Sequence, residues 1–146
     1  MKTAIFAGSF DPFTKGHKNI IDRALAGVAD MVYVVIGTNN TKRCMFTPEE
    51  RAAAIKRAYG DDPRVAVRQW DGLITDLAKE VGADFLLRGV RSVKDFEYER
   101  DMAEVNRMLT GIDTVLLFSD PQYASVSSSV VRELLSFNKN VEQFLP

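Results

Sequence analysis

The chain of 146 residues is 46% hydrophobic and 27% charged, with 19 Lys and Arg against 20 Asp and Glu and a formal net charge of -1. This length suits one domain, expected to span residues 1–146, and lets roughly 68–70% of the unfolded surface be buried. The balance excludes intrinsic disorder and leaves no basic excess for a nucleic acid or an acidic membrane, so an anionic partner has to be caught by a local cluster of cations.

Thr3 to Ala7 reads as a buried strand, broken by Gly8-Ser9-Phe10-Asp11-Pro12. From Gly16 to Leu25, the apolar residues Ile20, Ile21, Ala24 and Leu25 recur at helical spacing. Met31 to Gly37 is an unbroken, β-branched apolar run, as in a parallel strand buried on both faces. After a loop rich in Asn and Thr, Thr47-Pro48-Glu49-Glu50 combines a capping threonine, a first-turn proline and a glutamate that closes a capping box. The helix it opens runs to about Tyr59 and stops at Gly60-Asp61-Asp62-Pro63. Val65 to Gln69 is a third strand, Leu73 to Val81 a short helix closed by Gly82, and Phe85 to Leu87 a fourth strand. Val93 to Leu109 is the longest helix, with Tyr98, Met102, Val105 and Leu109 forming one apolar stripe. Thr114 to Phe118 is a fifth strand and Ser127 to Phe137 a last helix. This alternation predicts an α/β fold: a single-domain, Rossmann-like open sheet of five parallel strands with helices on both faces. Such sheets bind ligands beyond the carboxyl ends of their strands, where the topology switches.

Cys44 is the only cysteine, so neither an intrachain disulfide nor a multi-cysteine metal site is available, and it reads as a small apolar side chain in a reducing compartment. His17 is the only histidine, which removes His-rich zinc sites. No apolar run approaches the roughly 18 residues of a membrane span, and Gly8-Ser9 cuts the first one short of a secretory signal. The expectation is a cytoplasmic protein without membrane or nucleic-acid partners.

The chemistry begins after strand one. Gly8 permits a sharp turn, and Gly16-His17 stands where the next helix opens, where unpaired N–H groups attract phosphate. Thr14-x-Gly16-His17 matches the [HT]-x-G-H signature of the nucleotidylyltransferase superfamily, and Val126-Ser127-Ser128-Ser129-Val130-Val131-Arg132 matches its second signature, with Val for Ile. The segment from Arg88-Gly89-Val90-Arg91 to Phe96-Glu97-Tyr98-Glu99, continued by Met102-Ala103 and Asn106-Arg107, closely resembles the diagnostic segment of the bacterial phosphopantetheine adenylyltransferase family, as do Lys42 and the Met45-Phe46-Thr47 and Glu49-Glu50-Arg51 that follow it. The resemblance covers nearly the whole chain. Ser9 stands where many members carry Thr and Tyr123 where a Trp often sits, while members often continue past Phe144-Leu145-Pro146 with another short helix.

The resemblance implies transfer of the adenylyl group of ATP to 4′-phosphopantetheine, giving dephospho-coenzyme A and pyrophosphate, the penultimate step of coenzyme A synthesis. It implies that His17 contacts the α-phosphate as a donor, that Lys42 and Arg88 hold the acceptor phosphate, and that Arg91 reaches the triphosphate from a tight strand-end turn of Gly89, Val90 and Arg91. Ser9 offers its hydroxyl to a phosphate and serves both substrates. Ile74 lines the pantetheine arm. Phe10, Glu99, Tyr123, Ala124, Ser125, Val126, Ser127, Ser128 and Ser129 complete the ATP-binding set, the three serines as a nest for the β- and γ-phosphates. Read from the residues alone, Phe10, Ile74, Phe46 and Tyr98 are core, and Glu99 is an exposed helix acid pairing with Arg100 or Lys94. No acidic metal cage is visible, so Mg²⁺ is expected to arrive on the ATP phosphates. The family further implies a homohexamer, and the likeness of product to coenzyme A implies feedback binding of coenzyme A. The competing readings are another superfamily member, acting on a mononucleotide or on glycerol phosphate, and a catalytically silent nucleotide-binding regulator.

Overall fold

In the computed structural model, which describes residues 1–38 and 43–146, the chain alternates strand and helix in the order β1 (Thr3–Gly8), α1 (Lys15–Gly27), β2 (Met31–Gly37), α2 (Pro48–Tyr59), β3 (Val65–Trp70), α3 (Ile74–Val81), β4 (Phe85–Val90), α4 (Val93–Thr110), β5 (Asp113–Phe118) and α5 (Ser128–Ser136). Short 3-10 turns at Pro121–Tyr123 and Glu142–Phe144 flank α5. The five strands form one parallel sheet in the order β3-β2-β1-β4-β5. From β1 the chain steps outward to β2 and β3, then returns to the other side of β1 for β4 and β5. Right-handed crossovers therefore place α1 and α2 on one face and α3 and α4 on the other. The reversal leaves a crevice at the carboxyl ends of β1 and β4.

Period-two alternation divides the core accordingly. Ala4, Phe6, Val32, Val34, Ile36 and Leu87 pack with Ile20, Ile21 and Ala24 of α1 and with Ala52 and Ile55 of α2. Ile5, Val35 and Leu86 point to the opposite face and pack with Leu77 and Ala78 of α3. Each fully buried aliphatic side chain here contributes about 1.5–3 kcal/mol by leaving water. The capping box at Thr47 forms as expected: its hydroxyl accepts the Glu50 N–H at 3.1 Å, and the Glu50 carboxylate accepts the Thr47 N–H at 3.2 Å.

Two expectations need correction. Strand four does not end at Leu87. Arg88, Gly89 and Val90 continue it, paired with Leu116, Leu117 and Phe118 of β5, so the expected turn of Gly89 and Val90 is strand and the chain leaves the sheet only at Arg91. The apolar stripe of α4 is also not core: Tyr98 is 63% and Leu109 62% exposed, and Glu99 is the buried residue of that helix. Helical periodicity reports an apolar face but not what covers it.

Gly89 sets the approach of α1 to β4, because a Cβ there would stand 2.8 Å from Cγ1 and 3.1 Å from Cδ1 of Ile20. Gly89→Ala is expected to destabilise the fold by about 1–3 kcal/mol through overpacking. A lowered urea midpoint would show this, and a wild-type midpoint would contradict it.

Candidate active site

The turn after β1 is built by close packing. Phe10 is buried with a φ of 49°, a left-handed conformation that costs a non-glycine residue of order 1–3 kcal/mol. Its ring folds back over Gly8, where a Cβ would lie 3.2 Å from Cζ. Phe10 and Phe13 then wall the imidazole of His17. Phe13 stacks on it with centroids 5.6 Å apart and planes 18° apart, and Phe10 meets it edge-on at 5.0 Å.

His17 occupies the third position of α1, and Thr14 is the cap. The Thr14 hydroxyl accepts the His17 N–H at 3.4 Å, and His17 Nδ1 accepts the Thr14 N–H at 3.0 Å. This is a capping box in which an imidazole replaces the usual Glu or Gln. Because Nδ1 accepts from a backbone donor, the neutral ring carries its proton on Nε2. Burial first, and then the positive charges of Arg88 and Arg91, push the His17 pKa down from 6.5 to about 4. The folded value lies below the unfolded one, so the stability tied to this group is complete above about pH 6.5 and is lost as the pH falls toward 4. At neutral pH His17 is an uncharged N–H donor.

The two signature segments meet physically. A Cβ on Gly16 would sit 3.3 Å from the Val126 carbonyl oxygen, so glycine lets the approach to α5 close onto the start of α1. Ser128 donates its hydroxyl to the Pro12 carbonyl at 2.7 Å, and Arg132 donates to the Asp11 carbonyl at 2.8 Å and to Ser129 Oγ at 3.2 Å. Ser127 caps α5 by accepting the Val130 N–H at 3.2 Å. The backbone N–H groups of the first turn of α5 thus open onto the same cleft as His17, an arrangement that suits phosphate oxygens. A second tie joins the turn to the segment before α2. The buried carboxylate of Asp11 accepts the N–H groups of Met45 and Phe46, both at 2.9 Å, while the buried guanidinium of Arg51 donates to the carbonyls of Ser9 at 2.7 Å and Phe46 at 3.1 Å.

Arg88 projects from β4 beside this turn. It forms a bidentate pair with Glu99, Nε to Oε2 and Nη2 to Oε1 both at 2.8 Å, and its Nη1 donates to the Ala7 carbonyl. Arg91 is exposed at the rim, 3.5 Å from the Asp95 carboxylate. The resulting cleft, of about 340 Å³, brings together Ser9, Phe10, His17, Arg88, Gly89, Arg91, Glu99 and Ser127 to Ser129, with Arg132 added. An apolar cavity of about 300 Å³ adjoins it at Arg88 and Glu99 and is lined by Ile74, Leu73, Tyr98 and Met102. A larger apolar cavity of about 620 Å³ lies behind Phe10 and Phe13, against α2, Leu145 and Pro146, away from His17 and the serines.

Most of the expected site residues therefore converge. Val90 is buried in β4, and Tyr123, Ala124, Ser125 and Val126 form the connection into α5; among the described residues the cleft wall does not include these five. Tyr98 lines the second cavity from an exposed position and is not core. Glu99 is neither exposed nor paired with Arg100 or Lys94: it is 7% exposed and holds Arg88. Lys42 lies outside the described residues. Asp11, Thr14, Arg51 and Arg132 are structural members of the site that sequence reasoning did not assign. Thr14 and Arg132 lie within the two signatures, whereas Asp11 and Arg51 act through contacts 34 to 42 residues away that leave no local pattern. Among the described residues no group of three or more His, Cys, Asp or Glu could hold a metal ion.

Comparison with known proteins agrees with this geometry. The cytidylyltransferase-like family model matches residues 5–134. The chain is 48% identical over 146 residues to the phosphopantetheine adenylyltransferase of Bacteroides thetaiotaomicron, covering 100% of this chain and 96% of that one. It is 50% identical over 143 residues to that of Porphyromonas gingivalis (98% and 93% covered) and 45% identical over 147 aligned positions to that of Leuconostoc citreum (100% and 92%). With a phosphate cleft built from both signatures and similarity of this extent, the chain belongs to the cytidylyltransferase-like family and, within it, to the phosphopantetheine adenylyltransferases.

Proposed function

We propose that the protein transfers the adenylyl group of ATP to 4′-phosphopantetheine, producing dephospho-coenzyme A and pyrophosphate. The carrying observation is the junction at Arg88, where a cleft of cations, hydroxyls and helix-start N–H groups opens into an apolar cavity beside Ile74. A triphosphate suits the first compartment, and an acceptor with a phosphate head and a long, weakly polar arm suits the second.

In the reaction a phosphate oxygen of the acceptor attacks the α-phosphorus in line, a new P–O bond forms, and the bond from the α-phosphorus to its bridging oxygen breaks to release pyrophosphate. The attacking phosphate is already anionic at neutral pH, so no general base is needed, and catalysis rests on positioning and charge stabilisation. His17 donates Nε2–H to the α-phosphate without adding charge. Arg88, joined by Lys42, holds the acceptor phosphate; Arg91 and the start of α5 hold the β- and γ-phosphates. Mg²⁺ rides on the ATP oxygens, since the carboxylates at the cleft, Asp95 and Glu99, are engaged with Arg91 and Arg88. Coenzyme A shares the pantetheine arm and is expected to compete at the acceptor compartment. The ATP requirement and the single cysteine support action in the cytoplasm, and no helix among the described residues is long and apolar enough to cross a membrane. A homohexamer completes the proposal, supported by the exposed apolar face of α4, where Met108 is 79% exposed and Val105 48%.

The direct test is pyrophosphate release with ATP, Mg²⁺ and 4′-phosphopantetheine, with nicotinamide mononucleotide and glycerol 3-phosphate as parallel acceptors. Turnover is expected with phosphopantetheine alone, inhibited by coenzyme A, and reduced about 10²–10³-fold in His17→Ala. Preference for another acceptor would overturn the assignment. Sedimentation velocity is expected to find a hexamer that Met108→Glu reduces to smaller species; a monomeric wild-type protein would contradict the assembly.

A further inference from the structure

Glu99 is the buried residue of an otherwise solvent-facing helix, and a carboxylate in that position is tolerated only when its charge is matched. Both of its oxygens go to one guanidinium, in the side-on bidentate geometry that fixes an arginine most rigidly. The Ala7 carbonyl, from the strand next to β4, takes a third N–H of Arg88. Three of the five guanidinium N–H groups are thereby engaged, leaving two for a ligand. Arg88 stands where three cavities meet: the phosphate cleft, the apolar cavity beside Ile74 and a smaller one at the ends of β1 and β2. An arginine on the edge of so much open space has many rotamers to choose from, and the carboxylate selects one of them.

From this geometry we propose that Glu99 is a positioning residue for Arg88, holding the guanidinium so that its two remaining donors meet the acceptor phosphate, rather than a contact to the adenosine of ATP. The inference rests on the reading that Arg88 serves the phosphopantetheine phosphate. The two roles differ in which substrate they affect. A positioning role weakens the acceptor and leaves ATP untouched, because the nucleotide contacts lie on His17, Arg91 and the start of α5. An adenosine contact does the reverse.

The test uses the full-length protein and the substitution Glu99→Gln, which keeps the shape and removes the charge. Isothermal titration calorimetry with 4′-phosphopantetheine and, separately, with ATP is the first readout. The expected result is a tenfold or greater loss of affinity for phosphopantetheine, with ATP affinity changed less than twofold. In turnover assays KM for phosphopantetheine rises while KM for ATP stays constant. In an Arg88→Lys background, Glu99→Gln adds less than a twofold effect, because lysine cannot accept the bidentate grip. Glu99→Asp, which retains the charge, restores part of the acceptor affinity and serves as the readout if Glu99→Gln fails to fold. Loss of ATP affinity with acceptor binding intact, or fully additive effects of the two substitutions, would overturn the proposal alone. Absence of phosphopantetheine binding or turnover in the wild-type protein would instead overturn the functional reading and the proposal with it.

Discussion

The site depends on one hydrogen bond, from the Thr14 N–H to Nδ1 of His17. It does two jobs. As half of a capping box, it satisfies a backbone donor at the start of α1 and so helps to place that helix. As a constraint on the imidazole, it assigns the remaining proton to Nε2. Phe10 and Phe13 hold the ring plane, and burial together with Arg88 and Arg91 keeps the ring neutral. A neutral donor suits a site already rich in fixed cations, since protonating the ring there would add a further charge repelled by both arginines in the empty enzyme.

The rest of the architecture brings partners to that ring. The topological switch sets β1 beside β4, which puts the turn after β1 next to Arg88. Gly16 and Gly89 allow α1 to sit close to the approach to α5 and to β4. Asp11 and Arg51, both buried, bind backbone groups on opposite sides of the gap between the β1 turn and the segment entering α2, so that these two loops behave as one body. Met45, held by Asp11, follows Lys42 by three residues in the chain. The buried charges are spent on fixing loop backbone, which short connections on a sheet edge need if catalytic groups are to stay aligned.

Much of this was legible in the sequence because the signals are local. The β-branched run from Met31 to Gly37 could only be a buried strand, the Thr47 to Glu50 box marked its helix to the residue, and the two signature segments named His17 and Ser127 to Ser129. What escaped was set by contacts between distant segments. Phe85 to Leu87 looked like a complete strand, yet pairing with β5 carries it to Val90. The stripe of Tyr98, Met102, Val105 and Leu109 had the period of a core face but stands in solvent in the single chain, while Glu99, between those positions, is the residue that turns inward. Nothing in the local pattern distinguishes a glutamate that pairs along its own helix from one that reaches an arginine in a neighbouring strand.

The central claim is that His17 acts as a neutral Nε2–H donor fixed by Thr14. The chain has one histidine, so ¹⁵N-edited NMR of the imidazole in the ligand-free protein gives a single, unambiguous signal. The account predicts the Nε2–H tautomer throughout the neutral range, with protonation only near pH 4. A midpoint near 6.5, or a proton resting on Nδ1 at neutral pH, would contradict it.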